Sequence, residues 1–203
     1  MTLSRGSIQT PHIPVASLSI PLHYGHVGIN LDKFQKHHNE QRSALDPTIL
    51  NSNQLLYVHG IPKPGGGLMP QYVGRGRVHN DGKKPIHRVK ESIDERIHQI
   101  INNNNNKRPS RLIVNILNVN HFSRQKNYTL LKSSETLLIQ NARKVNRNLL
   151  NRAQTSEKQM INSHIPLSII GVRNGLFKFT DNRLGTQKQK EDGMEFARML
   201  GWN

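Results

Sequence analysis

The chain has 203 residues, of which 29 are Lys or Arg and 13 are Asp or Glu, so its formal net charge is +16. It contains no cysteine, which excludes disulfides, thiolate zinc sites and cysteine nucleophiles. Apolar residues make up 34% of the chain, against roughly 45–50% in a typical globular domain, so we expect a modest core. Charge this one-sided opposes compaction, and an anionic partner relieves the repulsion.

The N-terminal part is rich in residues that interrupt regular structure. Residues 1–86 hold eight of the ten prolines, together with the glycine-rich stretches 62–67 and 74–77. Proline removes a backbone donor and glycine raises the entropy of the unfolded chain, so long elements are disfavoured. We predict that residues 1–86 form an extended, largely irregular arm, with a short helix over 31–44 and a short strand over 54–59.

The first 31 residues carry a single charged side chain, Arg5, and no acid. A mitochondrial presequence also lacks acids, but it needs arginines on an amphipathic helix. Three prolines in this stretch break such a helix, so an extended arm is the expectation. The chain has no run of 18 apolar residues, and we therefore expect no membrane insertion.

Residues 87–203 are predicted to form a small α+β domain. Val89, Ile93, Ile97 and Ile100 recur at helical spacing, which predicts a helix over 87–101. The five asparagines that follow favour a loop. Residues 111–119 are dense in β-branched and large apolar side chains and indicate a buried strand, although a buried helical segment is also consistent with this length.

The longest periodic stretch covers residues 124–162. Its apolar positions recur at helical spacing, and neither proline nor glycine interrupts it, so we predict one long basic helix. These apolar positions are Leu131, Leu138, Ala142, Val145 and Leu149. Two apolar runs flank Asn174 and Gly175 within 167–179, which predicts a C-terminal β-hairpin. A short helix is expected over 189–200.

The charge distribution is the most informative functional feature. From Arg96 to Thr180 there are 14 Lys or Arg residues and two acids. A solvated surface usually mixes both signs, whereas a one-signed surface is typical of contact with phosphates or with acidic proteins. A second basic segment begins with the Gly-Arg pairs of 74–77, where glycine allows close backbone approach and arginine can bind phosphate with two N–H groups. The residues predicted to contact RNA phosphate are Arg75, Arg77, Lys83, Lys84, Lys107, Arg108, Arg111, Arg143, Lys144 and Arg147.

Other kinds of site find little support in the residue pattern. The glycines at 65–67 lack the Gly-Lys-Ser/Thr spacing of a phosphate-binding loop. Eleven histidines are scattered without a metal-binding motif, so no metal or other cofactor is expected. The acids form no constellation suited to acid–base catalysis. We therefore expect a non-enzymatic protein.

Two short pieces resemble parts of a small-subunit ribosomal protein family, the second in the bacterial numbering. Residues 23–26 (His-Tyr-Gly-His) resemble its early aromatic-Gly-His segment. Residues 170–176 (Ile-Gly-Val-Arg-Asn-Gly-Leu), with 194–197 downstream, resemble its Arg-Asn-Gly strand and following helix. The resemblance implies contact with ribosomal RNA. Residues 146–152 also resemble a helical repeat of some cilia- and flagella-associated proteins.

The leading hypothesis is a structural RNA-binding component of a ribonucleoprotein, namely a ribosomal protein of the mitochondrion or cytoplasm. Its partners would be ribosomal RNA and neighbouring proteins of the assembly. A filament-associated protein of microtubules or cilia is the alternative, with tubulin as partner, because tubulin is also acidic. An RNA-processing enzyme is a third, weaker hypothesis.

Overall fold

A computed structural model describes residues 15–26, 28–63, 67–78, 81–103, 108–118 and 128–151. In these residues the chain combines helices with an antiparallel sheet, which confirms an α+β fold. The elements in chain order are β1 (Val15–Pro21), β2 (Tyr24–Gly25), β3 (Gly28–Ile29), α1 (Leu31–Ser43), α2 (Pro47–Leu50), β4 (Gln54–Pro62), β5 (Leu68–Arg77), α3 (Pro85–Asn102), β6 (Arg111–Asn118) and α4 (Tyr128–Val145).

Four strands form the central sheet in the order β1-β6-β4-β5, and every neighbouring pair is antiparallel. At one end of the sheet Arg77 of β5 pairs with Gln54 of β4. At the other end Arg111 of β6 pairs with Pro21 of β1. The short strands β2 and β3 form a separate hairpin. The basic residues predicted to contact RNA are therefore divided between the two ends of the sheet, with Arg77 at one end and Arg111 at the other.

One face of the sheet packs against α1 and α3. The predicted helical stripe of α3 is buried throughout, as are the alternate side chains Leu112, Val114 and Ile116 of β6. Phe34 contributes from α1 and is 1% exposed. Full burial of one such side chain contributes roughly 1.5–3 kcal/mol, so this layer is the main source of stability. The predictions of α1, α3, β4 and β6 are confirmed.

The other face of β4 and β5 packs against α4. Leu131, Leu138 and Ala142 are fully buried and Leu149 nearly so, which matches the predicted apolar side of this helix. Opposite them lie Val58 of β4 and Val73 of β5, each 0% exposed. The sheet thus has helices on both of its faces.

On each edge strand, the outward N–H and carbonyl of one residue are hydrogen-bonded to a side-chain amide. On β1, the Ser19 N–H donates to Gln41 Oε1 at 2.7 Å and Gln41 Nε2 donates to the Ser19 carbonyl at 2.5 Å. On β5, Asn151 makes the same pair of bonds to the N–H and carbonyl of Val73, at 2.9 and 2.8 Å. Outward backbone groups of edge strands are templates for unwanted pairing, and each amide occupies those of one residue, Ser19 on β1 and Val73 on β5.

The expectation of an irregular arm is wrong for residues 15–77. They supply β1, β4 and β5, three of the four strands of the sheet. Gly74 of β5 lies against the Tyr57 ring, which occupies the space that a side chain at this position would need. A Cβ at Gly74 would lie 2.4 Å from that ring. Pro70 is tolerated because β5 is an edge strand. The sheet joins strands from both sides of the boundary predicted at residue 86.

The long basic helix is shorter than predicted. It was expected over 124–162, but α4 ends at Val145. The side chain of Asn146 leaves the helix and donates to the Pro70 carbonyl at 2.7 Å, while its Oδ1 accepts from the Asn148 N–H. Asparagine competes with helical hydrogen bonds in this way. The predicted C-terminal hairpin and the helix over 189–200 lie outside the described residues.

Within the part of the chain that the structure describes, no helix has both the length and the apolar character needed to cross a lipid bilayer.

Candidate functional site

The end of β5 and the beginning of α3 lie in direct contact. Gly76 of β5 faces Pro85 so closely that a Cβ at this glycine would lie 3.0 Å from the proline Cβ and carbonyl oxygen. Pro85 is the first residue of α3, where its fixed φ and missing N–H suit a helix start. This contact brings the arginines of β5 next to the lysines that precede α3.

Around this contact the surface forms an open recess, here called the basic recess. It contains five Lys or Arg residues and one histidine, against two carboxylates. The lining residues are Arg75, Gly76, Arg77, Asp81, Lys83, Lys84, His87, Arg88 and Glu91. The recess therefore has the excess of positive charge that an anionic ligand requires.

Two of the ion pairs at the recess are largely exposed to solvent. Lys83 Nζ lies 3.2 Å from an Asp81 carboxylate oxygen, and Arg88 Nη1 lies 3.2 Å from an oxygen of Glu91. The side chains of Lys83 and Asp81 are 64% and 45% exposed. Ion pairs this exposed contribute about 0–1 kcal/mol, so a phosphate can displace the carboxylates at low cost.

Arg75 differs from the other cations of the recess. Its guanidinium forms an ion pair with Glu135 of α4, and the two side chains are only 22% and 10% exposed. This pair joins α4 to β5 beneath the recess. Arg75 therefore has a partly structural role. The exposed cations of the recess are Arg77, Lys83 and Lys84.

The first turn of α3 adds a partial positive charge. It contains no acid, and the capping residue Lys84 makes no side-chain hydrogen bond to the helix. Pro85 has no N–H and the His87 N–H donates to the Lys84 carbonyl at 3.0 Å, but the aligned peptide dipoles of the helix still favour anions near this end. Here this end of the helix lies among Lys83, His87 and Arg88. The helix dipole and the basic side chains therefore both favour a negatively charged ligand.

The structure places the predicted RNA-binding residues in three regions. Arg75, Arg77, Lys83 and Lys84 come together in the basic recess. Arg108 and Arg111 lie at the opposite end of the sheet: Arg108 Cζ is 5.3 Å from the centroid of the Tyr24 ring, and Arg111 Nη1 donates to Ser19 Oγ at 3.2 Å. Arg143 and Arg147 are exposed at the end of α4, which also contains Lys144. Lys107 lies outside the described residues.

Two residues of the recess, His87 and Arg88, were absent from the predicted set. The signal that could have identified them is Pro85, because a proline at the first helical position places the next three residues in the first turn. The prediction instead placed 74–86 in a largely irregular arm and began the helix at residue 87. The cations of 74–88 are held by β5 and α3.

Among the described residues, no group of three or more His, Asp or Glu side chains is arranged to hold a metal ion. No family model, curated protein or solved structure matches the chain.

Proposed function

We propose that the chain is a structural RNA-binding component of a ribonucleoprotein, and that the basic recess binds phosphate groups of the RNA backbone. The observation that carries this proposal is the grouping of Arg77, Lys83, Lys84 and Arg88 at the positive end of α3, beside the ion-paired Arg75. The net charge of +16 supports it, because each phosphate that a cation neutralises releases a condensed counterion.

Each part of the recess has a role in this proposal. The arginines can bind one phosphate through two N–H groups, while the lysines act as point charges that accept varied geometry. Phosphate contacts orient a protein on the RNA without reading its bases. We therefore expect affinity with little sequence preference, as a protein that fills a fixed place in a large particle requires.

The assembly that we favour is a ribosomal particle, of the mitochondrion or of the cytoplasm. The resemblance of residues 23–26 and 170–176 to a small-subunit ribosomal protein supports this choice. Acidic filaments such as microtubules could attract the same charge. Cosedimentation with purified ribosomal subunits and with RNA-free microtubules separates the two partners, and exclusive binding to microtubules would overturn the proposal.

Neutralising the two exposed lysines of the recess tests the site directly. Lys83→Ala/Lys84→Ala should weaken binding to a fluorescein-labelled RNA about tenfold at 100 mM salt, because two phosphate contacts are lost. Fluorescence anisotropy measures the affinity. The matched control is Lys33→Ala/Lys36→Ala, which removes two exposed lysines from α1. The control should stay within about twofold of the native affinity; an equal loss in both variants would show that net charge alone attracts RNA.

A further inference from the structure

A histidine with no hydrogen-bond partner is buried at the centre of the sheet. His59 of β4 is 0% exposed, and neither of its ring nitrogens finds a partner among the described residues. Its ring lies beside those of Tyr57 and Tyr72, with centroids 5.3 and 5.6 Å away. A buried polar group without a hydrogen-bond partner is rare and lowers the stability of the fold. His59 is therefore an unusual residue for the centre of a sheet.

A second buried histidine lies on the same side of the sheet. His38 of α1 is 1% exposed, its Nδ1 lacks a partner within the described residues, and its ring is 6.3 Å from that of Phe34. The two histidines are close enough that charge on His38 lowers the pKa of His59. The second imidazole therefore resists protonation when the first is charged.

The charged groups around this pair are mostly cations. Arg42 of α1 and Lys90 of α3 lie near His38, and Arg96 of α3 lies near His59. The Arg96 guanidinium covers the Tyr72 ring at 4.2 Å from its centroid. Asp94 is the acid that favours protonation of His38, and its carboxylate is already bonded to Lys90 at 2.7 Å.

Both histidines are neutral in the folded protein. Burial, with a smaller contribution from Arg96, lowers the pKa of His59 to about 3. Burial also lowers the pKa of His38 to about 4, against the attraction of Asp94. In the unfolded chain both groups return to an ordinary value near 6.5. Stability is thus complete above pH 6.5 and is lost as the pH falls from there toward 4.

We propose that His38 and His59 form an acid-sensitive contact, which holds α1 and α3 on the sheet only while both imidazoles are neutral. Protonation would place a charge where the described residues offer no acceptor to either nitrogen of His59 or to Nδ1 of His38, and where the nearest charges are mostly cations. Because α1 supplies His38 and α3 packs over His59, mild acid lowers the free energy of unfolding of this helical layer.

The contact also bears on the basic recess. Lys84, His87 and Arg88 belong to the start of α3, and they face the arginines of β5 only while that helix is packed. Acid should therefore disperse the recess, although it raises the positive charge of the chain. This consequence rests on the proposed function, whereas the acid sensitivity of the fold does not.

The test is urea unfolding of the full chain without RNA, followed by circular dichroism at 222 nm, at pH 7.5 and 5.0. The folding equilibrium constant of the native chain should fall about 30-fold for each histidine, or about 1000-fold in all. His38→Phe/His59→Phe retains rings but removes the imidazoles, and its constant should change less than about threefold. The control His98→Gln, at an exposed position of α3, should behave as the native chain does.

A native constant that changes less than about threefold would overturn the proposal, and so would an equal loss in the double variant. Should that variant not fold, NMR of the native imidazole ring protons decides instead. We expect two histidines that do not titrate between pH 7.5 and 5.5, and midpoints near pH 6.5 for both would contradict the inference. RNA binding at pH 7.5 is measured separately, so failure of the proposed function remains distinguishable.

Discussion

Replacing Gly74 by alanine should destabilise the fold by about 3 kcal/mol, because a single methyl group overfills a packed interior. The new Cβ would lie 2.4 Å from Tyr57 Cζ. Tyr57 cannot easily move away, since it is 1% exposed and its ring also packs beside His59 and Tyr72. Chemical denaturation of the variant measures the loss.

A coupled variant shows whether the Tyr57 ring causes this loss. Tyr57→Leu removes the ring, so Gly74→Ala should cost at least about 1 kcal/mol less in its presence than in the native chain. Gly25→Ala is the matched control, because a Cβ there meets its nearest atom at an ordinary 3.9 Å. If Gly74→Ala costs no more than this control, the described packing of β5 is incorrect.

Replacing Glu135 by glutamine should have opposite effects on stability and on RNA binding. The change leaves the Arg75 cation, 22% exposed, without its carboxylate partner. Breaking a fully buried pair costs about 3–5 kcal/mol, and we expect about 2–3 kcal/mol here because Arg75 retains some contact with water. The recess meanwhile gains one positive charge, so its affinity for RNA should rise about twofold to fivefold.

The two effects are measured separately, by urea denaturation and by fluorescence anisotropy at 10 °C, where the variant stays folded. Glu91→Gln is the control, since this glutamate is 52% exposed and its pairing with Arg88 is weak. It should raise RNA affinity to a similar extent but change stability by less than about 1 kcal/mol. Weaker RNA binding by the folded Glu135→Gln variant would contradict a phosphate site at the recess.

Local patterns predicted some elements well. The apolar residues of α3 and β6 identify these elements from the local sequence alone. Burial of one helix face gives apolar residues at helical spacing, and burial of a whole strand gives a continuous apolar run. In β5 the outcome depends on contacts distant in the chain. From the sequence alone, its glycines predict an irregular segment. In the structure, Tyr57 and Pro85 fill the space beside Gly74 and Gly76.

The end of α4 was missed for a similar reason. Helical spacing continues through Leu149, but Asn146 Nδ2 donates to the Pro70 carbonyl, an acceptor that is present only because β5 lies beside the end of α4. Periodicity contains no information about that edge. Tertiary hydrogen bonds therefore ended a helix that local preference would have extended.

The candidate site was predicted in part. Arg75, Arg77, Lys83 and Lys84 are close in the sequence, and the contact of Gly76 with Pro85 keeps them close in the fold. Arg108 and Arg111 were grouped with them by charge alone, and sheet topology places these two at the opposite end. A charge count predicts an anionic partner, whereas strand order determines which cations lie close enough to bind one anion together.

The salt dependence of RNA binding tests the central claim most directly. If Arg77, Lys83, Lys84 and Arg88 each displace a counterion from single-stranded RNA, log K should fall with log salt with a slope of about −3 or steeper. The Lys83→Ala/Lys84→Ala variant should have a slope shallower by about 1.5, while Lys33→Ala/Lys36→Ala should keep the native slope. An affinity that does not change between 50 and 300 mM salt would show that no phosphate is bound at the recess.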